Sequence, residues 1–306
     1  MKKICVLGSI NIDLVTTALE FPMPGETIHG LEFNTFPGGK GANQAVAASK
    51  LGAPVTFLGK IGRDAFGEMA LSSLKEAKVD TRYIEKENKS TGTASITVNG
   101  KGQNSIVCVP GANGMVDVDY VKKNKKAIED ADILMIQLEI PVETVEWAAE
   151  YASLNNKIVI LDPAPAKKLS DTLLKHCSII TPNETELEIL TGVQVFDDSG
   201  LEHAKEILLQ QGIQAIVHKC SSKGAYLLSA EDKLMISGFK VDAVDTTAAG
   251  DSFNAGLAVS LAEGKGMKES IRFANAVGAL SVTKMGAQSA MPSMVKVMEF
   301  MNNEML

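Results

Sequence analysis

The segment Val244-Asp-Thr-Thr-Ala-Ala-Gly-Asp-Ser-Phe-Asn-Ala-Gly-Leu257 carries the densest chemistry in the chain. Two acids, Asp245 and Asp251, bracket a turn of small residues. Ala248, Ala249 and Gly250 let a ligand approach the backbone closely. A helix is expected from about Asp251 to Glu263, and the unpaired N–H groups at a helix start form an anion site. Such donors stabilise charge on a transferring phosphoryl group. Asp251 would stand where it can accept the proton of an attacking hydroxyl. The plainer alternative is an acid that only caps the helix.

Three further segments could hold a polar ligand. Phe36-Pro-Gly-Gly-Lys-Gly-Ala-Asn-Gln-Ala-Val-Ala-Ala48 is glycine-rich and opens an Ala-rich helix. It is no Walker A loop, because Gly follows Lys40, and no dinucleotide fingerprint, because Gln44 stands at the third-glycine position. Lys40 and Asn43 could donate to ligand hydroxyls; a tight turn before a packed helix is the alternative. In Gly8-Ser-Ile-Asn-Ile-Asp13, Asn11 and Asp13 are two apart and share one side of an extended chain. An amide beside a carboxylate suits vicinal hydroxyls; an ordinary turn is the alternative. Thr181-Pro-Asn-Glu-Thr-Glu186 could face phosphates or metal-bound water, or be a helix cap.

The elements that must position these residues show a regular rhythm after about residue 110. Ile133–Ile136, Ile158–Leu161, Ser178–Ile180 and Ala215–Val217 read as buried strands. Helical stretches lie between them, one opening with Pro141 in its first turn and one spanning Leu201–Gln211. Alternating strand and helix predicts an α/β fold: a doubly wound, mainly parallel sheet flanked by helices. Residues 12–37 and 93–109 break the rhythm. In the latter, Ala94–Val98 and Ser105–Val109 flank an Asn-Gly turn, a hairpin signal. Together they are expected to form a small β-sheet lid on a single domain spanning 1–306, with a decorative edge hairpin as the alternative.

Composition narrows the class. The 306 residues are 45% hydrophobic, enough for a large core, and the formal net charge of -7 argues against a nucleic-acid partner. Cys5, Cys108, Cys177 and Cys220 form no Cys-x-x-Cys pair, which suits reduced thiols in a cytoplasmic protein. The four histidines show no metal-ligand spacing. The N-terminal apolar run is too short for a signal peptide, and no run of 18 apolar residues occurs, so no membrane association is expected.

Taken in order, these segments resemble the ribokinase-like (phosphofructokinase B type) family of carbohydrate kinases. The resemblance spans essentially the whole chain. It adds Pro24-Gly-Glu26, Gln137-Leu-Glu139, Asp162-Pro-Ala-Pro-Ala166 and Gly286-Ala-Gln288 to the motifs above. It implies ATP-dependent phosphorylation of a terminal hydroxyl, with D-ribose giving D-ribose 5-phosphate as the leading reaction. Asp251 matches the family's base, and the amides of Ala248, Ala249 and Gly250 match its anion hole. Asn11, Asp13, Gly39, Lys40, Asn43 and Glu139 match the sugar-holding positions. Asn183 and Glu186 match the region of the phosphates and Mg²⁺, Glu186 acting through water, and Asn275 matches a nucleotide contact. Asp245 and Thr247, with Ser281, Lys284 and Gly286, match the site of a K⁺ activator. The lid is expected to form a homodimer contact.

One stretch departs from the family. The nucleotide loop usually reads Thr-Leu-Gly-x-x-Gly; here it is Lys219-Cys-Ser-Ser-Lys-Gly224. Ser221 replaces the first glycine, Gly224 is kept, and Lys219 could reach a phosphate. The alternatives carried forward are a kinase of the same family acting on 2-deoxyribose, another sugar or a nucleoside, and, more remotely, a catalytically idle sugar-binding regulator.

Overall fold

The computed structural model describes residues 1–303. Its strands are β1 (Ile4–Leu7), β2 (Asn11–Thr17), β3 (Glu32–Gly38), β4 (Val55–Gly62), β5 (Asp80–Glu87), β6 (Gly92–Val98), β7 (Asn104–Val109), β8 (Ile133–Ile136), β9 (Ile158–Leu161), β10 (Ile179–Ile180), β11 (Ala215–Lys219), β12 (Gly224–Leu228) and β13 (Lys233–Ser237). Its helices are α1 (Lys40–Lys50), α2 (Ala65–Glu76), α3 (Val118–Lys123), α4 (Lys126–Glu129), α5 (Val142–Leu154), α6 (Asp171–Leu174), α7 (Glu184–Thr191), α8 (Asp198–Gln210), α9 (Ala249–Ala262), α10 (Met267–Ser281) and α11 (Met294–Asn303).

Nine strands form one sheet in the order β13-β12-β11-β10-β9-β8-β1-β4-β5. Pairing is parallel from β5 to β11 and antiparallel across β11-β12-β13. The sequence in β1 shows why both faces must be covered. Ile4 and Val6 join a core with α1, α9 and α10, whereas Cys5 and Leu7 join another with α5, α7 and α8. Successive side chains leave a strand on opposite faces, so a strand of four apolar residues demands helices on both sides. The fold is therefore the doubly wound α/β architecture expected from the alternation.

A second sheet holds four strands in the order β3-β2-β6-β7. β2 runs parallel to β6, while β3 and β7 pair antiparallel at the edges. The Asn-Gly turn closes the β6–β7 hairpin, with Val98 opposite Asn104.

Three details differ from the sequence expectations. Pro141 is the residue before α5 rather than within its first turn. The helix at the small-residue turn begins at Ala249, two residues before Asp251. The β4-α2-β5 unit was not anticipated. Its strand reads Val-Thr-Phe-Leu-Gly-Lys-Ile-Gly, and the polar interruption, Lys60, is buried against Glu87 at 2.8 Å. A lysine that finds a carboxylate looks on paper like a break in an apolar run.

Candidate active site

The carboxyl ends of β1, β8, β9, β10 and β11 all open toward α9, as expected for a ligand site in an open parallel sheet. The residues following these strands are Ser9, Gln137 to Glu139, Asp162, Thr181 to Asn183 and Cys220.

Asp251 lies at the centre and is 6% exposed. It is the third residue of α9, and no side chain caps that helix. The capping alternative therefore does not describe this acid. Asn43 Nδ2 donates to its Oδ2 at 3.0 Å, and Gln44 Nε2 donates to its Oδ1 at 3.1 Å. Burial pushes the Asp251 carboxyl up to about 6, against the Lys40 ammonium, which favours the charged form; Asp162 adds to the rise. A carboxylate near that value is ionised at neutral pH yet basic enough to take a proton.

The turn before α9 is unusual. Ala248 adopts a left-handed conformation, φ 59°. Ser252 N–H enters the helical ladder first, bonding Ala248 O at 2.9 Å, so the Gly250 and Asp251 amides precede it. The Ala249 amide is already committed to Thr246 O at 3.2 Å. Of the anion-hole amides expected at Ala248, Ala249 and Gly250, that of Ala249 thus has a partner within the turn.

α1 begins against the β1–β2 turn because its glycines allow it. A Cβ on Gly39, whose φ is 88°, would sit 2.7 Å from Asn11 N; one on Gly41 would sit 2.7 Å from Ser9 N. This contact delivers Lys40, Asn43 and Gln44 to the site. Glu139 Oε2 accepts from Ser9 Oγ at 2.5 Å and from Lys40 N at 3.1 Å. Burial opposes the charged form of Lys40, but Asp251, Asp162, Glu139 and Glu186 together hold it well above the usual lysine range. On β2, Asn11 is buried and accepts from Asn113 Nδ2 at 2.7 Å. Asp13 is pushed up to about 6 by burial and by Glu139. Asn11, Asp13, Gly39, Lys40, Asn43 and Glu139 thus converge from three elements.

A cleft of about 880 Å³ joins this group. Lys40, Asp162, Asn183, Glu186, Lys219 and Asp251 line it, together with Ser221, Gly224, Gly250 and Asn275. Asn183 and Glu186 also form a reciprocal cap at the start of α7, so this segment is a helix cap that faces the cleft. Glu186 is raised by burial, which Lys219 opposes and Asp162 reinforces. Asn275 Nδ2 donates to the carbonyls of Ile236 and Ser237, which turns it into the wall of the cleft.

Asp245 and Thr247 form a separate knot. Asp245 Oδ1 accepts from Thr247 N and Oγ1 at 2.9 and 2.7 Å, and Oδ2 accepts from Gly286 N at 2.9 Å. Burial works against its ionisation, but the Thr247 and Gly286 hydrogen bonds prevail and lower its pKa. Ser281 Oγ donates to the Gly278 carbonyl, and Lys284 is exposed.

Sequence reasoning passed over Gln44, Asp162, Gln137 and Gln288 as site residues. Gln44 Nε2 also donates to Asp162 Oδ2 at 3.0 Å, and Gln137 Nε2 donates to Gln44 Oε1 at 2.8 Å. Gln288 Nε2 donates to Asn43 Oδ1 at 3.1 Å, and Ser73 Oγ to Gln288 Oε1 at 2.7 Å. The motifs Gln137-Leu-Glu139, Asp162-Pro and Gly286-Ala-Gln288 marked three of these places. Their partners are distant in sequence, so the contacts themselves left no local signal.

Comparison with known proteins gives a consistent picture. Residues 1–294 match the pfkB family of carbohydrate kinases. The ribokinase of Haemophilus influenzae is 43% identical over 303 residues, 99% of each chain. The ribokinase of Bacillus subtilis is 41% identical over 303 residues, covering 99% of this chain and all of that protein. A solved structure of Arabidopsis thaliana ribokinase complexed with ribose and ATP superposes with a TM-score of 0.92 at 33% identity, covering 97% of this chain and 98% of that one.

Proposed function

The chain belongs to the pfkB family of carbohydrate kinases, and from that premise we propose that it transfers the γ-phosphoryl group of ATP to the terminal O5 hydroxyl of D-ribose, giving D-ribose 5-phosphate. The observation that carries this reading is the placement of Asp251: a buried, partly desolvated carboxylate between a polyol-type donor and acceptor set and a cleft lined by Lys40, Lys219 and Lys240.

In the proposed reaction Asp251 accepts the proton of the O5 hydroxyl as that oxygen forms its bond to the γ-phosphorus. The bond from phosphorus to the bridging oxygen breaks, and ADP leaves. Asn43 and Gln44 hold the carboxylate so that one lone pair faces the sugar. Asn11, Asp13 and Glu139 supply acceptors, and Lys40 and Asn43 donors, for the ring hydroxyls. Buried polar groups of this kind penalise a sugar lacking a matching hydroxyl, which favours ribose over 2-deoxyribose. The Gly250 amide at the start of α9 faces the cleft and would meet charge developing on the phosphoryl oxygens.

Among the described residues, no group of three or more His, Cys, Asp or Glu is arranged to hold a metal ion. A Mg²⁺ carried by phosphate oxygens and water fits so sparse a donor set, with Glu186 and Asp162 as outer carboxylates. When bound, it would neutralise charge on the phosphates. The Asp245 carboxylate beside the 281–286 turn is a hard oxygen site that fits K⁺, and Gly286 is tied to it directly.

Coupled ADP release measured over a panel of ribose, 2-deoxyribose, ketohexoses and nucleosides tests the assignment. Ribose is expected to give the highest kcat/KM; a higher value for any other acceptor would overturn it. Activity is expected to rise several-fold when KCl replaces NaCl at equal ionic strength, and equal rates would contradict the cation assignment.

A further inference from the structure

Lys219 occupies a place where a phosphate contact alone does not account for its surroundings. It closes β11, and its side chain is 13% exposed. Its Nζ donates to Asp162 Oδ1 at 3.0 Å and lies 3.8 Å from Glu186 Oε2. Asp162 is 3% exposed, and its second oxygen accepts from Gln44 Nε2. The same amide nitrogen gives its other hydrogen to Asp251 Oδ1. Gln137 fixes the orientation of that amide by donating to Gln44 Oε1. The result is a continuous line: Lys219, Asp162, Gln44, Asp251.

The charges make the line sensitive at its far end. Asp162, Glu186, Glu139 and Asp251 all lie close enough to Lys40 to act on its charge. Lys40 therefore serves several acids at once, whereas Lys219 bonds Asp162 directly. A buried carboxylate that loses its counter-charge is strongly disfavoured. Deprived of Lys219, Asp162 would lean on the nearest remaining donor, the Gln44 amide, which it shares with Asp251. That amide can satisfy both acids only while neither draws it away.

We propose that Lys219 is a positioning residue: by neutralising Asp162 it keeps the Gln44 amide shared between Asp162 and Asp251, and so holds the base in place for proton transfer. This rests on Asp251 being the base. It assigns to the lysine of the altered nucleotide loop a task at the sugar side of the site, two hydrogen-bonded residues away.

Steady-state kinetics of Lys219→Met, with and without Asp162→Asn, separate this role from simple phosphate binding. Asparagine at 162 still accepts from Gln44 but carries no charge. Lys219→Met is expected to lower kcat about tenfold or more while KM for ATP rises by a smaller factor. Adding Asp162→Asn is expected to raise kcat at least about threefold above that of Lys219→Met alone. A raised KM for ATP with unchanged kcat, or a double variant no faster than Lys219→Met, would overturn the proposal. If Lys219→Met does not fold, Lys219→Arg takes its place: retained charge should keep kcat within about threefold of wild type, and a tenfold loss would count against it. Wild-type protein without ribose-dependent ADP release would be a different result, bringing down the assigned reaction itself.

Discussion

Asp251 shows how environment turns an ordinary acid into a candidate base. Burial raises it, and Lys40, Asn43 and Gln44 keep it from rising further. Its proton affinity sets a pH dependence. Below about pH 6 the carboxyl is protonated and cannot accept a proton, so kcat/KM for the sugar should fall on the acid side with a midpoint near 6. Asp13 titrates in the same range, its own rise coming from burial and Glu139. The acid limb should therefore have a slope between one and two, reduced toward one in Asp13→Asn. A flat profile down to pH 5 would contradict the assignment. In the sequence, Asp251 was also readable as a cap. The distinction came from two residues of helix: α9 starts at Ala249, which moves Asp251 inside the first turn and points it at α1. Asp162 and Lys219 were each visible, but their 3.0 Å contact requires β9 and β11 to flank β10 in register.

At the scale of elements, the site depends on how tightly α1 can approach the β1–β2 turn. Gly41 is the test of that contact, because a methyl there meets backbone atoms of Gly8 and Ser9 at 2.7–2.8 Å. Gly41→Ala should destabilise the fold by about 2–3 kcal/mol, the usual cost of overpacking. Chemical denaturation would measure this, and an unchanged midpoint would show that α1 has room to move. KM for ribose should rise in the same variant, since Lys40 and Asn43 ride on that helix. The glycine-rich stretch and the Ala-rich run after it were legible as a turn and a helix. Their role was not, because close approach is a property of two segments rather than one. The same holds for Ala248. Its left-handed backbone, φ 59°, is a conformation that glycine adopts without penalty.

At the scale of the whole molecule, an acidic chain must bind a polyanionic co-substrate. It carries a formal charge of -7, yet its cleft presents Lys40, Lys219 and the start of α9. Attraction is thus local and partly buried, and less exposed to salt than a surface patch would be. The four-stranded sheet presents a different kind of surface. Phe33 is exposed on one edge strand, with Leu31 just before that strand, and Ile106, Val107 and Val109 are exposed on the opposite edge strand. Exposed apolar side chains on sheet edges are candidates for contact with another chain. A homodimer through this sheet is proposed. Sedimentation equilibrium should give twice the mass of one chain, and Val107→Lys should shift it toward the monomer. A wild-type monomer at micromolar concentration would contradict the proposal. The α/β alternation was readable from strands such as Ile133–Ile136, whose apolar runs admit few other arrangements. The β4-α2-β5 edge was not, because Lys60 finds its partner only after folding.

The most direct test of the central claim is a pair of measurements on Asp251→Asn: ribose binding by calorimetry and ribose-dependent ADP release. Asparagine keeps the shape and one of the two accepted hydrogen bonds but cannot take the proton. The expected result is ribose affinity close to wild type with turnover reduced about a thousandfold or more, the loss typical of removing a general base. Turnover above about a tenth of wild type, with ribose still bound, would show that Asp251 is not the base.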